Sequence, residues 1–107
     1  MDTIKPVRVL ETVNFSRWLM ALKDNRAKAA IAFRLKQMAA GHWGDFKSVG
    51  GGVSELRCHI GPGYRVYFTR RGLHIVLLLA GGDKSSQAKD IAKAKELAKE
   101  YSNEQNH

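Results

Sequence analysis

The sequence predicts a single α+β domain, in which two N-terminal helices pack on a sheet and a third helix closes the fold. Apolar residues recur at helical spacing over residues 15–22 and again over residues 27–38. Glycine-containing turns then divide residues 46–80 into four runs of strand length. A third helical pattern extends from about Ser85 to Tyr101, and a chain of 107 residues is too short for two separate cores.

The N-terminal part of the chain is expected to contain a short strand followed by two helices. The strand covers residues 7–10. Asn14 is a suitable N-cap for the first helix, Asp24 or Asn25 can cap the second, and Gly41 provides its C-terminal stop. Because the connection between the helices is short, they are expected to form an antiparallel hairpin on one face of the sheet.

The glycine-rich second half of the chain predicts the remaining strands. Their expected ranges are residues 46–49, 53–60, 64–70 and 73–80. The last run is apolar almost without a break, which predicts a central strand that is covered on both faces. The domain is expected to span residues 1–101, and the polar residues 102–107 are expected to form a flexible tail.

The charge of the chain favours an acidic or phosphate-rich partner. Eighteen Lys and Arg residues stand against ten Asp and Glu residues, which gives a formal net charge of +8. Charge alone also fits an ordinary solvated surface that happens to be basic. A nucleic-acid partner is therefore one of two explanations for this composition.

Cysteine usage and hydropathy predict a cytoplasmic protein with no membrane partner. The single cysteine, Cys58, excludes an intrachain disulfide framework and a multi-cysteine metal site. The N-terminal residues are too polar for a secretory signal, and the longest apolar run, residues 75–80, is too short to span a membrane. The histidines lack ligand spacing, and Asp83 interrupts the one stretch that resembles a phosphate-binding loop. No metal or other cofactor is therefore expected.

Side-chain alternation divides a predicted hairpin over residues 53–70 into an apolar face and a charged face. A tight glycine turn would place His59 opposite Arg65 and Arg57 opposite Tyr67. One face then belongs to the core. The other face gathers two arginines, a histidine and a tyrosine on a rigid sheet.

These side chains have the chemistry that RNA cleavage requires. Arginine can hold phosphate oxygens with two N–H groups, tyrosine can stack on a base, and histidine titrates near neutrality and can transfer a proton. Attack by an internal 2′-hydroxyl needs proton transfer and charge stabilisation but no metal. Residues 56–71 contain four arginines and no acidic residue, which concentrates positive potential there. An ordinary solvated strand face is the alternative explanation.

A close resemblance to the RelE/ParE toxin superfamily is carried by the runs GDFKSVGGGVSELRCHIGPGYRVYF and VLLLAGGDKSSQAKDIAKAKELA. The chain is most similar to the HigB-like branch, also described as phage-associated addiction-module killer proteins, and the similarity covers nearly its whole length. The resemblance implies two N-terminal helices packed on a curved antiparallel sheet with a C-terminal helix. It also implies the toxin of a type II toxin–antitoxin system, acting as an endoribonuclease on messenger RNA.

The resemblance assigns RNA binding to several basic residues. By position, Arg65 is the best match to a family arginine, and Arg57 and His59 occupy an alternating pair where the family places lysines. Lys84 falls near another family arginine. Lys47 should enter the same sheet just before the glycine turn, with a solvated strand lysine as the alternative. The expected RNA-binding residues are Lys47, Arg57, Arg65, Tyr67 and Lys84.

The proton-transfer residues are expected to differ from those of the family. The family's tyrosine at the start of the last helix is absent, because this region reads SSQAKDI, and Asp90 stands nearest to its place. His59 is the first choice for proton transfer and Asp90 the second, with a helix-surface or capping role as the alternative for Asp90. The expected catalytic set is His59, Arg65, Arg57 and Asp90.

Fold and resemblance together leave the target open. A ParE-like protein of the same fold would inhibit DNA gyrase by binding it, without nuclease activity. A nonenzymatic module would bind only its antitoxin and operator DNA. The resemblance implies a helix-turn-helix antitoxin as partner, with operator DNA contacted only through the antitoxin complex. For the nuclease, the further partner is messenger RNA, either free or on the ribosome.

Overall fold

The computed structural model of the protein describes residues 5–105, which form a five-stranded sheet with helices on both of its faces. The elements in chain order are β1 (Arg8–Glu11), α1 (Val13–Ala21), α2 (Asn25–Ala39), β2 (Phe46–Gly50), β3 (Val53–Cys58), β4 (Tyr64–Arg71), β5 (Ile75–Gly82) and α3 (Gln87–Gln105). The predicted α+β fold is confirmed, with all three helices in their expected places. None of the helices within residues 5–105 has the length and apolar character that a membrane crossing needs.

The strands lie in the order β1-β5-β4-β3-β2. From β2 to β5 each strand is antiparallel to the next one, as expected. β5 is buried along nearly its whole length between two neighbouring strands, which confirms the predicted central strand. β1 is parallel to β5, with Arg8 beside Ile75, so the sheet as a whole is mixed. The apolar pattern of so short a strand does not determine its direction.

The two N-terminal helices cover one face of the sheet. The side chain of Thr12 accepts a hydrogen bond from the Phe15 amide (3.1 Å) and caps α1, a role that was expected of Asn14. Asp24 caps α2, as predicted. The large side chains of Phe15, Ile31 and Met38 are fully buried against the strands. This packing forms the larger hydrophobic core.

The C-terminal helix covers the other face. α3 follows a short 3₁₀ turn over Lys84–Ser86 and packs Ala94 and Ala98 against the sheet. It extends to Gln105, beyond the expected end at Tyr101, and residues 106–107 of the expected tail lie outside the described residues. Because helices cover both faces at the centre of the sheet, strand side chains remain accessible mainly near the edges and strand ends.

Candidate functional site

Strands β3 and β4 place Arg57 and Arg65 directly opposite each other, on the face of the sheet that α3 covers. The sequence predicted instead that Arg57 lies opposite Tyr67 and His59 opposite Arg65. This predicted register is wrong by two residues. A shift of two residues keeps every side chain on its expected face, so both arginines still point to the same side of the sheet.

The register differs because the connection between β3 and β4 contains five residues, whereas a three-residue turn was expected. β3 ends at Cys58, which pairs with Tyr64, and residues 59–63 form the connection. Within it, the Ile60 amide donates to the Cys58 carbonyl (2.7 Å), and Gly63 adopts a positive φ of 82°. Glycine adopts this backbone conformation without the strain that a Cβ would add. His59 therefore lies in the turn rather than in the strand.

A fully buried carboxylate, that of Glu55, lies beside the two arginines. Its Oε1 accepts a hydrogen bond from Arg57 Nε (3.3 Å), and its Oε2 lies 3.4 Å from Arg65 Nε. Gln87 Nε2 and the Tyr67 hydroxyl also donate to Oε2, at 2.7 and 3.1 Å. The carboxylate thus has partners on β3, β4 and α3, as a buried charge requires.

Glu55 is held in its ionised form by these partners. Burial alone would raise the pKa of its carboxyl group. Hydrogen bonds from Gln87, Arg57 and Tyr67 outweigh burial, together with the positive charge of Arg65, and the net effect is a pKa below the ordinary value. At neutral pH, Glu55 is therefore a carboxylate between two guanidinium groups.

Both arginines keep N–H groups available for a ligand. The side chain of Arg57 is 32% exposed and that of Arg65 is 13% exposed. Arg65 Nη1 donates to the Gly63 carbonyl at 2.8 Å. Within residues 5–105, both terminal nitrogens of Arg57 and Nη2 of Arg65 have no protein acceptor. Guanidinium groups in this state can donate to the oxygens of a phosphate.

Tyr67 does not occupy the exposed position that the sequence predicted. Its side chain is fully buried, and its hydroxyl donates to Glu55. Burial and the neighbouring Glu55 charge raise the pKa of the hydroxyl well above its ordinary value. The expected stacking of Tyr67 on a base is wrong, because α3 covers this part of the sheet.

His59 is exposed and pairs with Asp45, which was not among the predicted site residues. His59 Nε2 lies 2.5 Å from Asp45 Oδ2, and the Asp45 carbonyl accepts a hydrogen bond from the Arg57 amide (2.9 Å). The hydrogen bond with His59 is the main reason that the pKa of Asp45 is lowered, and the charge of Arg57 adds to it. His59 is therefore linked to the arginine pair through Asp45. The only feature of the sequence that could have indicated this contact is the position of an acidic residue, Asp45, directly before β2.

Lys47 and Lys84 lie at the margins of the arginine pair. Lys47 is exposed on β2 and pairs with Glu55, which places it on the same face as the arginines. Lys84 lies in the 3₁₀ turn next to Gly63, where its amide donates to the Pro62 carbonyl (3.4 Å). The expected RNA-binding residues other than Tyr67 are therefore arranged around one end of the sheet.

Asp90 lies on the inner side of the site, in the first turn of α3. Its Oδ2 accepts a hydrogen bond from the Ser86 hydroxyl (2.5 Å). The same oxygen packs against Gly82, where a Cβ atom would approach it to 1.7 Å. Because Gly82 pairs with Arg65, Asp90 is near the arginine pair but half-buried. Gln87 lies in the same turn and donates to Glu55, and no feature of the sequence indicated that it belongs to the site.

This mixed sheet, with two helices on one face, one on the other and a basic site at one end, is consistent with the RelE-like class. Residues 17–102 match the family model described as phage-derived protein Gp49-like, and the chain belongs to this family. The family lies within the RelE-like superfamily of addiction-module toxins, which confirms the predicted superfamily. An uncharacterized protein of Haemophilus influenzae is 49% identical over 94 residues, which are 88% of this chain and 95% of that protein.

Every residue of the candidate site falls within the segment that matches the family. Membership of a toxin family of addiction modules indicates that the protein has an antitoxin as a partner. The family description names no reaction, and the similar Haemophilus protein is uncharacterized, so neither specifies the chemistry of the site.

Proposed function

We propose that the protein is a HigB-like toxin that cleaves messenger RNA in the cytoplasm. The observation that carries this proposal is the pair Arg57 and Arg65, which face each other across two strands and share the buried carboxylate of Glu55. Two guanidinium groups fixed in this way match the charge and geometry of an RNA backbone phosphate. The net charge of +8 supports a polyanionic substrate.

In this proposal the arginines bind the phosphate at the cleaved bond. Their terminal N–H groups donate to its non-bridging oxygens and stabilise the charge that develops as the 2′-hydroxyl attacks phosphorus. The limited exposure of Arg65 strengthens this effect, because the local dielectric is lower than in water. Lys47 and Lys84 contact neighbouring phosphates from the margins, which adds affinity without base specificity.

Proton transfer in the proposed reaction is assigned to His59, with Asp90 as the second candidate. The attacking 2′-oxygen loses its proton to a base, and the departing 5′-oxygen gains one as its bond to phosphorus breaks, which leaves a 2′,3′-cyclic phosphate. His59 is exposed, and Asp45 orients its ring through the short contact to Nε2. Asp90 is half-buried and already accepts a hydrogen bond, which makes it the weaker candidate.

The proposed partners follow from the toxin assignment. A helix-turn-helix antitoxin would neutralise the protein, and operator DNA would be bound only through the complex of toxin and antitoxin. The substrate would be messenger RNA, either free or in a translating ribosome. The basic groups around the arginine pair suit either state, because both present RNA phosphates.

An assay with purified protein tests the proposal. Messenger RNA is incubated with the protein in the presence and in the absence of translating ribosomes, and supercoiled DNA is incubated separately with gyrase and the protein. We expect RNA cleavage and unaffected gyrase. Gyrase inhibition with intact RNA would favour the ParE-like alternative, and no effect in either assay would favour a nonenzymatic binding module.

A matched pair of variants locates the active site. Arg65→Ala should reduce the cleavage rate by about 10²–10³-fold, the usual cost of one lost donor to the transition state. Arg8→Ala removes the same charge from exposed β1 and should cleave like the wild type. Circular dichroism establishes that both variants are folded. Full cleavage by folded Arg65→Ala would contradict the assignment of the arginine pair.

A further inference from the structure

The least expected group in the site is the buried carboxylate of Glu55. We propose that Glu55 is a positioning residue, which holds the Nε sides of Arg57 and Arg65 so that their remaining N–H groups are set to receive one phosphate. This inference rests on the proposed function, because it assigns Glu55 a part in the same reaction. Glu55 itself is covered by α3 and does not reach the RNA.

The two carboxylate oxygens divide the arginines between them. Oε1 contacts Nε of Arg57 and Oε2 contacts Nε of Arg65, at 3.3 and 3.4 Å. A guanidinium group that is held at Nε keeps its terminal nitrogens for another acceptor. Arg65 Nε is buried and makes no hydrogen bond within residues 5–105, so the Glu55 charge is its main partner.

Glu55 also offsets the repulsion between the two arginines. Two guanidinium groups on directly opposite strand positions repel each other, and like charges at such positions are destabilising. One carboxylate between them leaves a net charge of +1 for the group of three. The arginines can therefore stay side by side before RNA binds, which is the preorganisation that transition-state stabilisation requires.

The carboxylate is itself fixed from two directions. Tyr67 donates to it from β4 and Gln87 donates to it from α3. The neighbouring buried residues of this face, such as Val53 and Leu79, are apolar. A buried charge in this layer costs solvation free energy that an apolar residue would not, so stability alone does not explain why a glutamate occupies this position. The contacts of Glu55 with the two arginines explain it.

The main test uses Glu55→Gln, which keeps the shape of the side chain and removes its charge. Single-turnover cleavage of RNA is measured, with ribosomes if the wild type requires them. Binding is measured with a 2′-O-methyl RNA of the same sequence, which lacks the attacking hydroxyl. We expect cleavage to fall at least about tenfold, because part of the preorganised charge stabilisation is lost. Binding should be unchanged or tighter, because the substitution removes a negative charge directly beside the two arginines.

The control is Glu11→Gln, the same substitution at an exposed position on β1, which should leave both measurements unchanged. A merely structural role for Glu55 would lower cleavage and binding together, in proportion to the folded fraction. That result would overturn the proposal, as would cleavage at the wild-type rate. If Glu55→Gln fails to fold, Gln87→Ala removes the shortest hydrogen bond to Oε2 from a half-buried site and should give a smaller loss of the same kind.

A mutant cycle asks whether Glu55 acts through the arginines. In an Arg57→Gln and Arg65→Gln background, Glu55→Gln should cause no further loss of cleavage, because the groups that it positions are gone. A further loss of the same factor would overturn the proposal. The Nε–H signals of Arg57 and Arg65 in nuclear magnetic resonance spectra provide a readout that is independent of activity.

The Arg57 Nε–H, which donates to Glu55, should exchange slowly with water in the wild type and rapidly in Glu55→Gln, whereas the Arg65 Nε–H makes no hydrogen bond within residues 5–105 and is protected by burial. Unchanged exchange would overturn the positioning role. If the wild type cleaves no RNA with or without ribosomes, the proposed function fails, and the exchange measurement still decides whether Glu55 holds the arginines. The two failures are therefore distinguishable.

Discussion

The hydroxyl of Tyr67 donates a hydrogen bond to the carboxylate of Glu55 over 3.1 Å, and both side chains are fully buried. Tyr67→Phe removes this donor and leaves the ring in place. A hydrogen bond to a charged group contributes about 1.5–3 kcal/mol, so we expect the free energy of unfolding to fall by about that amount. Cleavage should fall less than in Glu55→Gln, because the hydroxyl acts on the arginine pair only through its hydrogen bond to Glu55.

Urea denaturation measures the change in stability, and Tyr64→Phe is the control. Tyr64 is half-buried, and within residues 5–105 its hydroxyl makes no hydrogen bond, so this variant should unfold like the wild type. Equal stability of Tyr67→Phe and the wild type would show that the contact with Glu55 contributes nothing. A larger loss of cleavage in folded Tyr67→Phe than in Glu55→Gln would indicate a direct role for the hydroxyl.

Acid should destabilise the protein partly through Glu55. Because the pKa of Glu55 in the folded protein lies below its ordinary value of 4.5, the carboxylate contributes stability above that pH. This contribution is lost as the pH falls from about 4.5 through the lowered pKa. We expect the unfolding free energy of the wild type to fall more steeply with acid than that of Glu55→Gln. Chemical denaturation at a series of pH values from 6 to 3 measures both slopes.

Parallel slopes for the wild type and Glu55→Gln would contradict the lowered pKa of Glu55. Both proteins should keep a residual slope, because the pKa values of Asp45 and Asp83 are also lowered. The hydrogen bond with His59 is the main cause for Asp45, and hydrogen bonds from Ser85 are the main cause for Asp83. The comparison between the two proteins removes this shared contribution.

Most of the fold was predictable because its elements are encoded locally. Apolar spacing predicted the three helices, and glycine positions divided the strands correctly to within a few residues. The direction of β1 and the register of β3 with β4 were not predictable. Both depend on contacts between distant segments, and a register shift of two residues leaves the alternation of side chains unchanged.

The candidate site was predictable to a similar extent. Alternation correctly placed Arg57 and Arg65 on one face, because each strand fixes the direction of its own side chains. Alternation also predicted an exposed Tyr67, because nothing in the sequence of β4 indicates that α3 packs over it. Glu55 lies on the face that was expected to be wet, and its burial follows from the same helix. The contact between His59 and Asp45 was not predictable, because it depends on the length of the connection between β3 and β4.

Gly81 should be intolerant of a side chain. A Cβ atom at this position would lie 2.2–2.4 Å from atoms of the Trp18 ring, and this half-buried ring packs against Phe15 and Tyr64. We expect Gly81→Ala to lower the free energy of unfolding by about 1–3 kcal/mol, the usual cost of overpacking. Combining it with Trp18→Leu should recover part of the loss. Strictly additive losses in urea denaturation would indicate that the two positions do not compete for space.

Cys58 should report on folding in all of these variants. Burial raises the pKa of its thiol to about 11, and the side chain is 4% exposed. At pH 8 the folded protein should react slowly with a thiol reagent, since only the thiolate is nucleophilic. Denaturant should restore rapid reaction. Fast labelling of the folded wild type would mean that the end of β3 opens readily.

The pairing of His59 with Asp45 makes a prediction for both structure and activity. The hydrogen bond from His59 is the main reason for the lowered pKa of Asp45, so His59→Ala should raise the pKa of that carboxyl group toward its ordinary value. Nuclear magnetic resonance titration of the carboxyl group measures the change. If His59 transfers a proton in RNA cleavage, the same variant should lose about 10²–10⁴-fold in rate.

Asp45→Asn tests whether the carboxylate orients the ring. It should lower the cleavage rate less than His59→Ala does, and it should have no effect once His59 is replaced, because the two residues act as one unit. His42→Ala changes another exposed histidine and is the matched control. Wild-type cleavage by His59→Ala, together with loss of cleavage in Asp90→Asn, would transfer the proton-transfer role to the first turn of α3. The arginine pair would keep its role in that case, because neither variant alters the contacts of Glu55.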